Sequence, residues 1–396
     1  MPNPNRIRSF PFRAAAWAVL GLMSLAAARP AAAAGDLIFG STFDGAWISG
    51  YYVGYQKDLY PIASVDWTSL THLMVGRIVP NADGSLNTSF DIDNVNGPIW
   101  AKQAVAAAHT HGVRAVVMLG GAGEYNGWVG AASATNRATF VANLAQAARD
   151  YGFDGFDLDW EPLNAGDEPN FVGLAQALRA AKPGVILTVP VGWANANFQN
   201  AANPDPFWGS IAPLFNQINI MSYGMAGPWS GWQSWYSSAL AGWSGNTPSS
   251  IDSSAAFYFA SGVPGSRLGI GIGFYGECWT GVNAAHQNNG NEIADDNSMS
   301  YAAIMHGYYS AARYGYDSTA QAPWLGAATA FGPAGSPQCT FVSYEDPTSV
   351  AAKGAYVRAN QLGGTIIWTI AEGHRTDVSG AQQDELLHAV AAGFRP

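Results

Sequence analysis

From residue 46 onward, short apolar runs recur with longer amphipathic stretches between them. The runs are "AWISGYY" (46–52), "LTHLMVGRIV" (70–79), "VRAVVMLGG" (113–121), "GFDLDWE" (155–161), "VILTVPVGW" (185–193), "QINIMSY" (217–223), "LGIGIGFYG" (268–276) and "GTIIWTI" (364–370). Their length, their apolar content and their Gly, Pro and polar boundaries are those of strands. Between them, "SATNRATFVANLAQAARDY" (133–151) is amphipathic at the helical period behind a Ser/Thr/Asn cluster able to cap it. "EPNFVGLAQALRAAKPG" (168–184) stops at Lys182, Pro183 and Gly184, and "SVAAKGAYVRANQLGG" (349–364) stops at a glycine pair. Eight strands alternating with helices predict an α/β fold, a (β/α)₈ TIM barrel, with no linker or repeat dividing residues 35–396. The gap between the seventh strand and the helix at 349 is too long for a loop, and it predicts a small α+β insertion over 281–340 on the rim.

Ahead of the first strand, Arg6, Arg8 and Arg13 precede the run "AAAWAVLGLMSLAAA" and then "AAAA" before Gly35. Residues 1–34 therefore read as a secretory signal cleaved near Ala34; the run is shorter than the ~20 residues a membrane span needs. A formal charge of -10 argues against nucleic-acid and anionic membrane partners. The 15 Trp, 17 Tyr and 18 Phe exceed what a core requires and suit flat apolar partners such as sugar rings. Export to an oxidising compartment predicts that Cys278 and Cys339 pair across the base of the insertion, with a crosslink contributing roughly 4 kcal/mol by loop entropy. With no CxxC and no Cys/His cluster, neither a structural zinc nor another cofactor is expected, and the chain is read as a monomer.

The chemistry concentrates in "YGFDGFDLDWEP" (151–162). Only 12% of residues are charged, yet Asp157, Asp159 and Glu161 alternate here with Phe156, Leu158 and Trp160. Period two places the three acids on one face of a strand and the apolar residues on the other. In a barrel the functional face lies at the carboxyl ends of the strands, so Glu161 is outermost and Asp157 deepest. Three clustered acids can hold Mg²⁺ or Ca²⁺, perform acid/base catalysis, or form a satisfied structural network. The other strand ends offer few acids to complete a metal site, and unpaired buried acids are costly as structure alone. Acids two apart on one strand approach a sugar from the same side, which matches neither two-carboxylate glycosidase geometry. A glycosidase built this way needs another nucleophile, and a substrate's 2-acetamido group is the available candidate.

"DGFDLDWE" resembles the DxxDxDxE signature of family 18 glycoside hydrolases, the group that contains chitinases. The resemblance runs the length of the chain: "GYY" at 50–52, "LTH" at 70–72, Gly120–Gly121 as the end of an SxGG motif, "MSY" with "GPW" at 221–223 and 227–229 as MxYDxxGxW, "FYG" at 274–276, and the final helix and strand. It implies Glu161 as general acid, Asp159 holding the acetamido N–H, and Asp157 sharing a proton with Asp159. It also implies Tyr223 as donor to the acetamido oxygen, Trp368 as the floor under the sugar and Trp229 as a stacking surface. Asp154 falls outside the inward parity and is read as structural. Tyr51 and Met221 lie on the same strands as motif residues and are substrate-binding candidates. Trp193 and Trp128 are candidates for sugar stacking by position alone.

Four positions depart from the pattern: Gly224 stands where MxYD has Asp, Met118 where SxGG has Ser, Glu277 where Arg is common, and Arg77 where an aromatic is usual. Loss of the Asp and Arg together leaves no orphaned charge if the two face each other in relatives. Arg77 is a candidate replacement cation near the acids. The resemblance implies a secreted chitinase that cleaves β-1,4 links between N-acetylglucosamine units with retention, its partners being chitin and N-acetylglucosamine oligomers. The alternatives are an endo-β-N-acetylglucosaminidase on N-glycans, a catalytically weak chitin-binding lectin and a metal-dependent hydrolase.

Overall fold

The computed structural model describes residues 45–396; the signal expected over 1–34 lies outside them. Each of the eight apolar runs forms a strand: β1 (Trp47–Val53), β2 (His72–Pro80), β3 (Arg114–Gly120), β4 (Gly155–Asp159), β5 (Ile186–Gly192), β6 (Gln217–Met221), β7 (Leu268–Gly273) and β8 (Gly364–Trp368). Neighbours pair in parallel in chain order, and β1 pairs with both β2 and β8, so the sheet closes into the predicted (β/α)₈ barrel. The short strand Leu86–Asn87 adds antiparallel to the end of β2.

The helices follow from their sequence signals. Arg137–Tyr151 ends at Gly152, which takes the left-handed conformation (φ 86°) that a side chain would resist. Pro347–Ala359 starts from a reciprocal cap between Asp346 and Ser349. Its second turn buries Lys353 against Glu345, an ion pair whose carboxylate takes a further hydrogen bond from Ser349 (2.5 Å).

Barrel parity sorts the side chains. Outward-facing residues such as Phe156, Leu158, Val189 and Val191 pack under the helices. Inside, Tyr51, Met74, Val116, Met118 and Ile366 form a separate apolar layer, capped by Met221, Tyr223 and Trp368 at the carboxyl ends. Below it, Ser49, Gln217, Asn219 and Trp47 close the floor by hydrogen bonds of 3.0–3.2 Å.

The insertion is a five-stranded antiparallel sheet of Glu277–Thr280, Asn291–Ala294, Tyr314–Asp317, Ala322–Phe331 and Cys339–Ser343. Its strands begin before 281 and end after 340. Its apolar core is shared with the loop after β6, through Trp235 and Tyr236 against Trp279 and Phe341. Cys278 and Cys339 are bonded across two adjacent strands, closing a loop of 61 residues of sequence separation. Replacing both cysteines by alanine should cost about 4 kcal/mol through the freed loop entropy and lower the thermal midpoint by about 5 °C. Calorimetry checks the shift, and limited proteolysis should cut first within the insertion.

Candidate active site

The three acids stand inside the barrel at rising levels, as their parity demands. Asp157, at the bottom, is flanked in the sheet by Met118 on β3 and Thr188 on β5. It accepts hydrogen bonds from Tyr51 Oη (2.7 Å) and Thr188 Oγ1 (2.5 Å). Burial raises it to about 6, against the lowering effect of those two donors. Met118, in the position where SxGG has Ser, offers no hydroxyl; Thr188 supplies one from the other neighbouring strand.

Asp159 is 3% exposed, and its Oδ1 has no hydrogen-bond partner. Burial first, then the charges of Glu161 and Asp157, hold it well above the usual carboxylate range. Its hydrogen-bonding carboxyl neighbour is Glu161. A carboxyl–carboxyl hydrogen bond thus joins Asp159 to Glu161, one level above the Asp157–Asp159 pair expected from the resemblance, while Tyr51 and Thr188 donate to Asp157. Glu161, half-buried just past the end of β4, is raised by burial, and a bond from the Ala122 backbone and the contact with Asp159 oppose that rise.

The three acids are aligned by β3. Gly120 and Gly121 have positive φ (81° and 98°), and a Cβ on Gly120 would lie 2.1 Å from Trp128 Nε1 and 2.7 Å from the Asp159 carbonyl. That close approach lets Gly121 N–H (2.8 Å) and Trp128 Nε1 (2.9 Å) both donate to the Asp159 carbonyl oxygen. Trp128 is thus corrected from sugar stacker to core residue. It is 0% exposed and stacks on Trp160 with centroids 5.3 Å apart, because the helix Tyr125–Ala131 turns its ring inward.

A cavity of about 380 Å³ opens above the acids, and its walls include Tyr51, Asp159, Glu161, Met221, Tyr223 and Trp368. Tyr51 packs its ring 5.3 Å from Trp368. Burial and the carboxylates hold Tyr223 far above its ordinary value, so its hydroxyl keeps its proton as a donor. Trp193 and Trp229 stand together, centroids 5.9 Å apart, on the loops after β5 and β6, and neither is among the residues that line the cavity. Asp154 lies outside the barrel, bonded to His109, Arg114 and the Ala115 N–H.

The departures have structural partners. Arg77 also lines the cavity; it donates to the Gly120 carbonyl (2.7 Å) and pairs with Asp91 (3.0 Å) and Glu124 (3.2 Å). Its Nη1 and Asp159 Oδ2 lie 3.2 and 3.6 Å from the point where a Gly121 Cβ would sit, and its charge favours the Asp159 anion. Gly224 donates its N–H to Ser237 Oγ (3.1 Å), and Ser237 in turn partners Glu277. Glu277, in the position where Arg is common, is buried and pushed well above its ordinary range by burial and then by Glu292.

Sequence reasoning missed Thr188 and Asp296, which accepts from Trp368 Nε1 (3.0 Å). The signal for Thr188 was present, as a lone inward polar residue in an apolar strand; Asp296 lies in the insertion and left no local signal. Among the described residues, no group of three or more His, Cys, Asp or Glu is arranged to hold a metal ion.

Comparison with known proteins agrees with this geometry. The chain is 25% identical over 401 residues to a "chitinase-like effector" of Moniliophthora perniciosa, covering 87% of this chain and 86% of that one. It is 25% identical to a "Class V chitinase" of Arabidopsis thaliana, covering 81% and 85%. The solved structure of the Ostrinia furnacalis Group IV chitinase superposes with a TM-score of 0.74 at 20% identity, covering 89% of this chain and all of that one. The sequence profile described as "Glycosyl hydrolases family 18" matches residues 48–373, and this chain belongs to that family.

Proposed function

We propose that the protein is an exported chitinase that hydrolyses β-1,4-linked N-acetylglucosamine polymers and oligomers with retention, using the substrate's own acetamido group as nucleophile. The observation that carries this reading is the acid ladder with its terminal member kept: Glu161 and Asp159 line one cavity with Tyr51, Tyr223 and Trp368, above the fully buried Asp157. In the resting site, Asp159 and Glu161 hold a proton between them. An acetamido N–H donated to Asp159 favours the Asp159 anion, which leaves the proton on Glu161 facing the glycosidic oxygen. Glu161 gives that proton to the leaving oxygen as the acetamido carbonyl oxygen closes on the anomeric carbon. Asp159 then balances the positive charge of the cyclic intermediate. Glu161, now a carboxylate, takes a proton from the water that opens this intermediate on the original face. Tyr223, held protonated, donates to the acetamido oxygen and orients it.

Hydrolysis of soluble N-acetylglucosamine oligomers, with the released anomer followed by NMR, tests this reading. The β-anomer should appear first, and Glu161→Gln should lower kcat by about 10³-fold. No turnover in either protein, with oligomer binding intact, would overturn hydrolysis and leave a carbohydrate-binding protein.

The pH profile follows from the same groups. Glu161 must be protonated to act, and its raised value carries the alkaline limb above the ordinary carboxylate range. Asp159 must be anionic in the working complex, and the Arg77 charge favours that form. Arg77→Met raises Asp159 further, so the acid limb of kcat should move to higher pH; an unmoved limb would show that the pairs with Asp91 and Glu124 already cancel the Arg77 charge.

A further inference from the structure

A second pair of acids stands behind the cavity, and the reaction does not use it. The Trp368 indole N–H donates to Asp296 Oδ1 (3.0 Å), and Asp296 Oδ2 accepts from Asn297 Nδ2 (3.0 Å). Gln56 Nε2 donates to Asn297 Oδ1 (2.7 Å) and to Glu372 Oε1 (2.9 Å), while Thr369 Oγ1 donates to Gln56 Oε1 (2.5 Å). Glu372 is 1% exposed, and the Asp296 carboxyl stands against it as a hydrogen-bonding neighbour. These contacts close a polar ring that joins three parts of the chain: the turn after β1 through Gln56, the end of β8 through Trp368, Thr369 and Glu372, and the insertion through Asp296 and Asn297.

We propose that Asp296 and Glu372 act as one positioning unit, a carboxyl pair bridged by a proton that clamps the Trp368 indole and ties the sugar platform to the rim insertion. The clamp rests on the reading of Trp368 as that platform. The charged or titratable groups facing the pair are Asp295 on the insertion, Tyr55 after β1, Tyr275 after β7 and Tyr223 after β6. All are acids, so nothing on these elements neutralises two adjacent carboxylates, and the pair must keep a proton. Burial and then the Asp296 charge raise Glu372 to about 9. With that proton in place, Glu372 donates to Asp296 and leaves Oδ1 to accept from the indole. Once it is lost at higher pH, the buried Glu372 anion and the half-buried Asp296 anion repel each other and the anchor of Trp368 moves.

The first test needs no substrate. In ¹⁵N-tryptophan-labelled protein, with the Trp368 indole signal assigned through Trp368→Phe, that signal should shift with a midpoint near pH 9, where Glu372 titrates. In Glu372→Gln, whose amide donates at every pH, the shift should be absent. A signal that stays still in the parent, or moves identically in Glu372→Gln, overturns the clamp.

The second test measures binding of the N-acetylglucosamine tetramer to Glu161→Gln, where turnover does not interfere. Adding Asp296→Ala should weaken binding about 10-fold, the loss of one charge-assisted hydrogen bond under the platform. Adding Glu372→Gln should abolish the weakening of affinity above pH 9 seen in the Glu161→Gln parent. Equal affinity in all three proteins at every pH, with matching near-UV circular dichroism, overturns the positioning role. Failure of the parent itself to bind the tetramer overturns the functional reading instead, and the indole titration still decides the clamp.

Discussion

The site depends on one electrostatic constraint: three carboxyl groups lie on one face of one strand, inside a barrel, where they cannot all ionise. Every neighbour of β4 answers that constraint in its own way. Tyr51 and Thr188 satisfy Asp157 from β1 and β5. The glycine pair after β3 lets backbone and indole N–H groups fix the Asp159 carbonyl, which aims the side chain without neutralising it. What remains uncompensated is the Asp159–Glu161 pair, whose raised values favour a proton held between the two carboxyls. Each donor that stabilises Asp157 as an anion raises the cost of ionising the acids above it, so the lower part of the barrel interior sets the protonation of the rim.

The barrel was legible because its signal is local. A strand of period two shows its inward face directly, and eight such strands leave little choice of closed fold, so the three acids, Tyr51 and Tyr223 could be placed in one interior and Asp154 outside it. The misreading of Trp128 has a specific cause. It sits just past a strand end, where position fixes the level of a residue but not the direction of its ring, and a short helix turns that ring back onto Trp160. Thr188 was visible as an oddity in an apolar run, but its partner belongs to another strand. The Asp159–Glu161 pairing was hidden for the same reason, since it depends on donors to Asp157 that lie on β1 and β5.

The four departures also become intelligible once partners are visible. Removing an acid at Gly224 would free its backbone loop, but Ser237 accepts that N–H and Glu277 partners Ser237. Glu277 can do so because burial favours its neutral form; an ionised acid there would face Glu292 without a cation. The Ser237 hydroxyl, between the Gly224 N–H and Glu277, ties down the loop that carries Trp229. The cation has not vanished from the cavity either. Arg77 brings one in from β2, braced by Asp91 and Glu124.

The rim insertion is then more than a wall. Its apolar core is completed by Trp235 and Tyr236 from the loop after β6, so neither the loop nor the insertion buries its aromatic residues alone. Its disulfide joins the paired strands Glu277–Thr280 and Cys339–Ser343, and Asp296 reaches from the turn that follows Asn291–Ala294 to the Trp368 indole. A motion of the insertion would therefore be felt at both ends of the cavity at once, at the platform through Asp296 and near Tyr223 through the bond from the Ser237 N–H to Ser343 Oγ (2.8 Å). The acid ladder is held by the barrel, whose strands are mutually braced, whereas Trp368 and the loop carrying Trp229 are held partly by the insertion. On the proposed function, chemistry and substrate fit thus rest on separate parts of the fold, and sequence change in the insertion can alter fit while the acid ladder stays as β3, β4 and β5 fix it.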